Sequence, residues 1–312
     1  MPIKYLFFSL LAVLIWVGNT IVSKLAAGAI SPGTIAFERR FIAFVILTPL
    51  VCRDAWRHRR TIAAYLPKLI LLGLLGMAAC QGLGYYAAGF TTATNMAIML
   101  SLVPLLTLIL STMFLGERPS SLAIIGGVVS LSGIFVVLGE GDPSRLLSQG
   151  VGRGDAMMLV AVLAYAGYGI LLRRWAIPLA TWTSIYVQIG AAVVLLVPSY
   201  LLSASSALSL PNTAMILYAA IPGSILAPFV WMSAVKRLGA ARTAIFMNLI
   251  PIFTAIVAAI FLGEALYIYH LVGGGMTVAG IILVQRKSVR GGSDQMTAAT
   301  SAQEVAGRRP SL

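Results

Sequence analysis

Residues Asn95–Leu138 read NMAIMLSLVPLLTLILSTMFLGERPSSLAIIGGVVSLSGIFVVL, and Arg242–Gln285 read RTAIFMNLIPIFTAIVAAIFLGEALYIYHLVGGGMTVAGIILVQ. Sliding the first stretch by 147 positions lays it on the second without a gap, and 15 of the 44 aligned pairs are identical. Apolar identities carry little weight in a chain that is 59% hydrophobic. The informative matches are Pro104 with Pro251, Gly116-Glu117 with Gly263-Glu264, Gly126-Gly127 with Gly273-Gly274, and Gly133 with Gly280. A proline inside an apolar run, a Gly-Glu at its end and glycines in the next run do not recur at one offset by accident. The chain is read as an internal duplication, which has to be recognised before a fold is assigned.

Composition sets the class. Mean hydropathy is +0.95, and only 10% of residues are charged, against about 25% in soluble domains. Successive apolar runs of roughly 17–25 residues match the thickness of a bilayer. The net charge of +13 is spread over loops and the C-terminal tail, so it does not form a nucleic-acid surface. Cys52 and Cys80 make neither a ligand cluster nor a disulfide framework.

From the N-terminus, Lys4 precedes an apolar run from Tyr5 to about Ala27. A signal peptide would share this pattern. At offset 149, however, Trp16 falls on Tyr165 and Gly18 on Gly167, so a permanent first helix is the better reading. Further helices are expected at about 34–51, 66–90, 94–115 and 119–139, then 154–174, 180–202, 213–235, 241–262 and 268–285. Cys52 to Tyr65 reads as a basic loop, and Gly116 and Gly263 as helix stops. The expected fold is an all-α membrane protein of ten transmembrane helices in two inverted five-helix repeats. Residues 1–140 form the first repeat, 141–153 a periplasmic connection, 154–286 the second repeat, and 287–312 a disordered cytoplasmic tail.

Five spans per repeat is an odd number, so the second copy enters from the opposite side, as in many secondary transporters. Charge supports this. With both termini cytoplasmic, 17 of the 22 Lys and Arg lie on the inner side, as the positive-inside rule requires. The loop after the second span carries four arginines, whereas its counterpart, Ser203 to Asn212, carries neither Lys nor Arg.

The chain resembles the EamA-type transporters of the drug/metabolite transporter superfamily over about residues 5–286. The resemblance rests on Trp16-Val17-Gly18-Asn19, Arg40-Phe41, and the proline-bearing fourth and ninth helices closed by Leu115-Gly116-Glu117 and Leu262-Gly263-Glu264. It departs where Gln188 stands at the position equivalent to Arg39. The resemblance implies a prokaryotic inner-membrane carrier that exports amino acids or other small metabolites through a central cavity. It does not fix substrate, direction, coupling ion or oligomeric state, and a monomer is the simplest expectation.

Polar residues inside spans should face protein or water, since unpaired polar groups in hydrocarbon are costly. Trp16, Asn19, Thr20 and Ser23 form one helical stripe, and Tyr165 and Tyr168 form the equivalent one. Gln81, Tyr85, Asn95, Met99, Trp231 and Asn248 complete the candidate substrate-binding set. Each has a rival reading as an interhelical packing residue. Glu38, Arg39 and Arg40 are the one charge cluster inside an apolar run. Adjacent residues diverge on a helix, so one arginine is expected to snorkel outward and the other to face inward. Arg40, at the position the resemblance favours, is assigned to bind a carboxylate, with a structural pairing to backbone as the rival. Pro104 and Pro251 are candidate hinges, with static kinks as the rival. Glu117 and Glu264 are read as ties or helix caps rather than proton carriers.

Other classes fit less well. His58 and His270 are isolated and no acid or cysteine stands at ligand spacing, so no metal, cofactor or enzyme chemistry is expected. No phosphate-binding loop is present. The expected partners are a small-molecule substrate and the lipid bilayer, not nucleic acid. An importer and a flippase of a lipid-linked substrate use the same inverted plan and stay as alternatives.

Overall fold

The computed structural model describes residues 3–116, 120–142, 144, 151–203, 209–238 and 245–283. Helix α1 spans Ile3–Ala26 and α2 Pro32–Arg57. After a short helix, Arg59–Ala64, α3 spans Leu66–Ala87 and α4 Ala93–Phe114. Helices α5 (Ser121–Leu138), α6 (Arg153–Trp175) and α7 (Thr181–Leu201) follow. Helix α8 is built from Leu210–Ile221 and Ala227–Leu238, and α9 (Phe246–Leu262) and α10 (Ile268–Leu283) complete the order. Among the described residues, seven of these are long and apolar enough to cross a membrane, and α9 and α10 are shorter apolar helices. Helix α2 has 26 residues, about 39 Å at 1.5 Å per residue, but carries Glu38, Arg39 and Arg40.

Local sequence explains most boundaries. Pro32 starts α2, where its missing N–H costs nothing. Thr92, Ser120 and Ser209 are N-caps whose hydroxyls accept from Asn95, Ala123 and Asn212 backbone N–H. Gly116 (φ +69°) and Gly263 (φ +65°) end α4 and α9 in the left-handed region, as expected of both. One expectation is corrected: residues 52–64 are mostly helical rather than a loop, because α2 continues to Arg57 and a second helix starts at Arg59. No Pro or Gly interrupts that stretch, and the Thr183 hydroxyl donates to Asp54, anchoring its middle to α7. Glu117, Pro119 and the expected tail at 287–312 lie outside the described residues.

Four spans are irregular, in two pairs at equivalent places. Gly73–Ala79 in α3 and Pro222–Leu226 in α8 are π-helical. Ser101 and Leu102 break α4 into two helices, and at the equivalent point 3-10 turn Ile245–Asn248 leads into the α-helix beginning at Leu249. Pro104 and Pro251 therefore sit in the first turn of a new helical segment. There the absent proline N–H falls among groups that lack a helical acceptor anyway.

The packing is reciprocal. Helix α1 packs on α8 and α9, while its counterpart α6 packs on α3 and α4. Helix α2 packs on α8, and its counterpart α7 on α3. Equivalent helices also meet directly. Phe37 stacks on Tyr200 and Phe44 on Tyr186, while Asp54 meets Thr183, so α2 and α7 run antiparallel. Likewise a Cβ on Gly133 would collide with Gly273 O, and one on Gly280 with Gly126 O. Helices α5 and α10 are thus antiparallel and in backbone contact, the close approach that small residues permit. The opposite face of α5 shows Ile124, Ile125, Val128 and Phe135, each more than half exposed, an apolar surface suited to lipid tails.

Replacing Gly133 with leucine forces this seam apart. The expected outcome is a destabilisation of about 1–3 kcal/mol from overpacking, read as a lower midpoint of thermal unfolding in detergent. Gly84→Leu, where a Cβ would meet nothing within 4 Å, should change it much less.

Candidate central binding cavity

The helices of both halves enclose a cavity of about 350 Å³, within the range of small-molecule sites, roughly 300–1,000 Å³. From α1, Trp16, Asn19, Thr20 and Ser23 line it; from α6, Tyr165 and Tyr168. Helix α2 supplies Arg39 and Arg40, α3 Gln81, α7 Ser184 and Gln188, α8 Ser224 and Trp231, and α9 Asn248. Pro104 also lines it. No Asp or Glu does so among the described residues, and no group of three or more potential metal ligands exists among them.

The π segments let the first helix of each half reach this centre. Gly76 lies against Tyr168, where a Cβ would come within 2.7 Å of Cδ2. Its counterpart Gly223 lies against Asn19, where a Cβ would come within 3.1 Å of Oδ1. Trp16 and Trp231 rings are 5.1 Å apart, and Tyr165 and Tyr168 are stacked at 5.7 Å, forming two aromatic walls. The Thr20 and Ser23 hydroxyls donate to the Trp16 and Asn19 carbonyls of their own helix, so their donor capacity is already used.

The two arginines differ in their partners. Expectation had one of them snorkelling; both are buried, Arg39 at 2% and Arg40 at 4% exposure. Helix α2 is packed by α7, α8 and α3, so protein surrounds both directions. Arg39 Nη1 donates to Gln81 Oε1 (2.9 Å) and Tyr85 Oη (2.7 Å). Its Nε and Nη2 both donate to Ser224 Oγ, at 3.2 and 2.9 Å. Ser224 in turn donates to the Ala219 carbonyl within the π segment. Arg40 Nε has no hydrogen-bond partner, and no carboxylate pairs with either arginine among the described residues.

Three expected site residues lie elsewhere. Tyr85 is buried and turned onto Arg39. Met99 packs in the apolar cluster with Met96, Leu102 and Met158. Asn95 has a buried Oδ1 without a partner, outside the cavity lining. On α4 the lining stripe is Met96, Leu100 and Ser101. Asn95 and Met99 precede it by one residue, about 100° around a helix of 3.6 residues per turn. Ser184, Gln188 and Ser224 were missed. A Pro-Gly-Ser triplet at 222–224 inside an apolar run was the available signal for Ser224. Pro251 is buried but outside the lining. Glu264 caps, but across the halves: its carboxylate accepts from Ala93 N, Thr94 N and Thr94 Oγ1 at the start of α4.

The sequence pattern of the EamA-like transporter family matches residues 3–139 and 152–286. The uncharacterized transporter YyaM of Bacillus subtilis strain 168 is 26% identical over 286 residues, 89% of this chain and 92% of its own. A probable terminal-alkyne amino-acid exporter of Streptantibioticus cattleyicolor is 27% identical over 233 residues, 74% of this chain and 77% of that protein. A solved crystal structure superposes with a TM-score of 0.59 at 16% identity, over 93% of this chain and 99% of the other, a likeness of fold alone.

The different surroundings of the arginines predict opposite stability effects in the empty protein. Arg39→Leu leaves Gln81, Tyr85 and Ser224 without their donor and should destabilise by roughly 1–3 kcal/mol per unsatisfied buried group. Arg40→Leu removes an unpaired buried charge and should be neutral or stabilising, by about 1–4 kcal/mol. Thermal unfolding of both variants without added substrate checks the contrast.

Proposed function

The chain belongs to the EamA-like transporter family of the drug/metabolite transporter superfamily, and on that premise we propose that it exports amino acids or similar small metabolites across the bacterial inner membrane. As a multi-pass transporter it has a small-molecule substrate and works within a lipid bilayer. The proposed mechanism is alternating access of the central cavity between two inverted five-helix repeats, residues 1–140 and 154–286. The observation that carries the substrate assignment is Arg40: a buried guanidinium, lining the central cavity, with an Nε that has no hydrogen-bond partner among the described residues. A carboxylate matches it by charge-assisted hydrogen bonds. The named amino-acid exporter among the relatives is consistent with this choice.

The inverted arrangement draws support from the antiparallel contacts of α2 with α7 and of α5 with α10, each a pair of equivalent helices. The charge asymmetry of the loops favours cytoplasmic termini. In this reading the helix breaks before Pro104 and Pro251 are the hinges about which the cytoplasmic and outer parts of α4 and α9 reorient. Trp16, Asn19, Gln81, Tyr165, Tyr168, Trp231 and Asn248 form the substrate's walls.

Counterflow into proteoliposomes loaded with a labelled amino-acid mixture tests the proposal. The native protein is expected to exchange, and Arg40→Ala to lose roughly 10- to 100-fold, the worth of a charged hydrogen-bonded contact of about 1.5–3 kcal/mol. A variant that unfolds normally in detergent yet exchanges at the native rate removes Arg40 from the site. Absence of any amino-acid exchange by native protein removes the substrate assignment.

A further inference from the structure

The fixed charge of the cavity narrows the substrate class, an inference that rests on the reading of this cavity as the transport site. Arg39 and Arg40 both line it, both are buried, and both are guanidinium groups that remain protonated in proteins. Every hydrogen-bond acceptor that meets Arg39 is a neutral oxygen: an amide, a phenol and a serine hydroxyl. These satisfy its donors and leave its charge in place. Arg40 lacks even a partner at Nε among the described residues. No acidic side chain lines the cavity among the described residues. The position equivalent to Arg39 in the other half holds Gln188, also neutral and 1% exposed.

We infer that the cavity selects organic anions carrying a carboxylate and no ammonium, such as N-acylated amino acids and small carboxylic acids, over zwitterions and cations. A zwitterion offers Arg40 its carboxylate but brings an ammonium beside two guanidinium groups, with no carboxylate to receive it. The Asn19 and Gln188 amide oxygens and the Trp16 and Trp231 faces attract a cation only as dipoles and quadrupoles. In a poorly screened interior, two full charges outweigh them. An anion compensates the buried charge and brings no such conflict.

The test is a matched series on the native protein in proteoliposomes. Loaded with a labelled carboxylic acid, the vesicles are challenged with an α-amino acid, its N-acetyl derivative and its amide, each on the same side chain. The N-acetyl form, a pure carboxylate, should drive exchange at least tenfold better than the zwitterion, and the amide, with no carboxylate, should drive none. Gln188→Glu adds a carboxylate to the cavity in a side chain of nearly the same shape, and should bring the two rates together. A zwitterion that outruns its N-acetyl form overturns the charge inference while leaving the carrier reading intact. An unchanged preference in folded Gln188→Glu overturns it too. Inorganic phosphate competing as well as the acids replaces the carboxylate by oxyanions in general and overturns the class named here. If neither the charged series nor neutral sugars move, the inference falls together with the transport site.

Discussion

A guanidinium group inside an apolar bilayer must reach water or be wrapped by hydrogen-bond acceptors, and the architecture around Arg39 is the wrapping. Its acceptors come from different helices: Gln81 and Tyr85 from α3, Ser224 from α8. One side chain of α2 thus ties the first half to the second. Ser224 is able to serve because it lies in a π segment, where its hydroxyl donates to Ala219 O, five residues back, and keeps its lone pairs for Arg39. The irregular turn, the glycine before it that admits Asn19, and the buried charge are parts of one arrangement. Irregular backbone at membrane depth is tolerated where protein or a cavity surrounds it, and both π segments border the cavity through Gly76 and Gly223.

Duplication explains why these parts appear twice with different chemistry. The glycine seam of α5 and α10 is symmetric because backbone contact has no alternative to Gly on either side. The pairing of Gly76 with Tyr168 repeats that of Gly223 with Asn19, although one partner is a phenol and the other an amide. At the guanidinium positions the symmetry ends: Gln188 donates to Ser184 one turn away, within its own helix. Backbone-contact positions keep their glycine, while the longer side chains that face the cavity diverge, as Trp16 and Tyr165, Asn19 and Tyr168, and Arg39 and Gln188 do.

Much of this was legible in the chain because the repeat exposes it. Pro104 and Pro251, Gly116 and Gly263, and the glycines of α5 and α10 all recur at one offset, and each marks a backbone requirement that few residues meet. Side-chain direction was less legible. Asn95 and Met99 were placed in the cavity by polarity and helical spacing, yet the lining face of α4 begins one residue later. The pair Arg39-Arg40 carries no mark to say which is wrapped and which is bare. That depends on Ser224, which is 185 positions away in the chain. The extra helix at 59–64 was hidden by its arginines, which read as a polar loop although they are good helix formers.

The contrast between the two arginines is also a division of labour. A cation fully paired inside the protein gains little from a ligand, because binding only exchanges one partner for another. A bare cation gains the whole interaction, but its burial destabilises the empty protein. Arg39 has neutral partners that hold its geometry and leave its charge uncompensated, so its electrostatic field adds to that of Arg40 at the cavity. An acidic side chain near Arg40 would have stabilised the empty fold and closed the site to anions. Its absence among the described lining residues is what leaves Arg40 available. In a carrier this availability has to be moderate, since a substrate held by paired, fully satisfied charges is slow to leave. In the proposed site, aromatic walls and amides surrounding one bare guanidinium group would supply orientation at little cost to release.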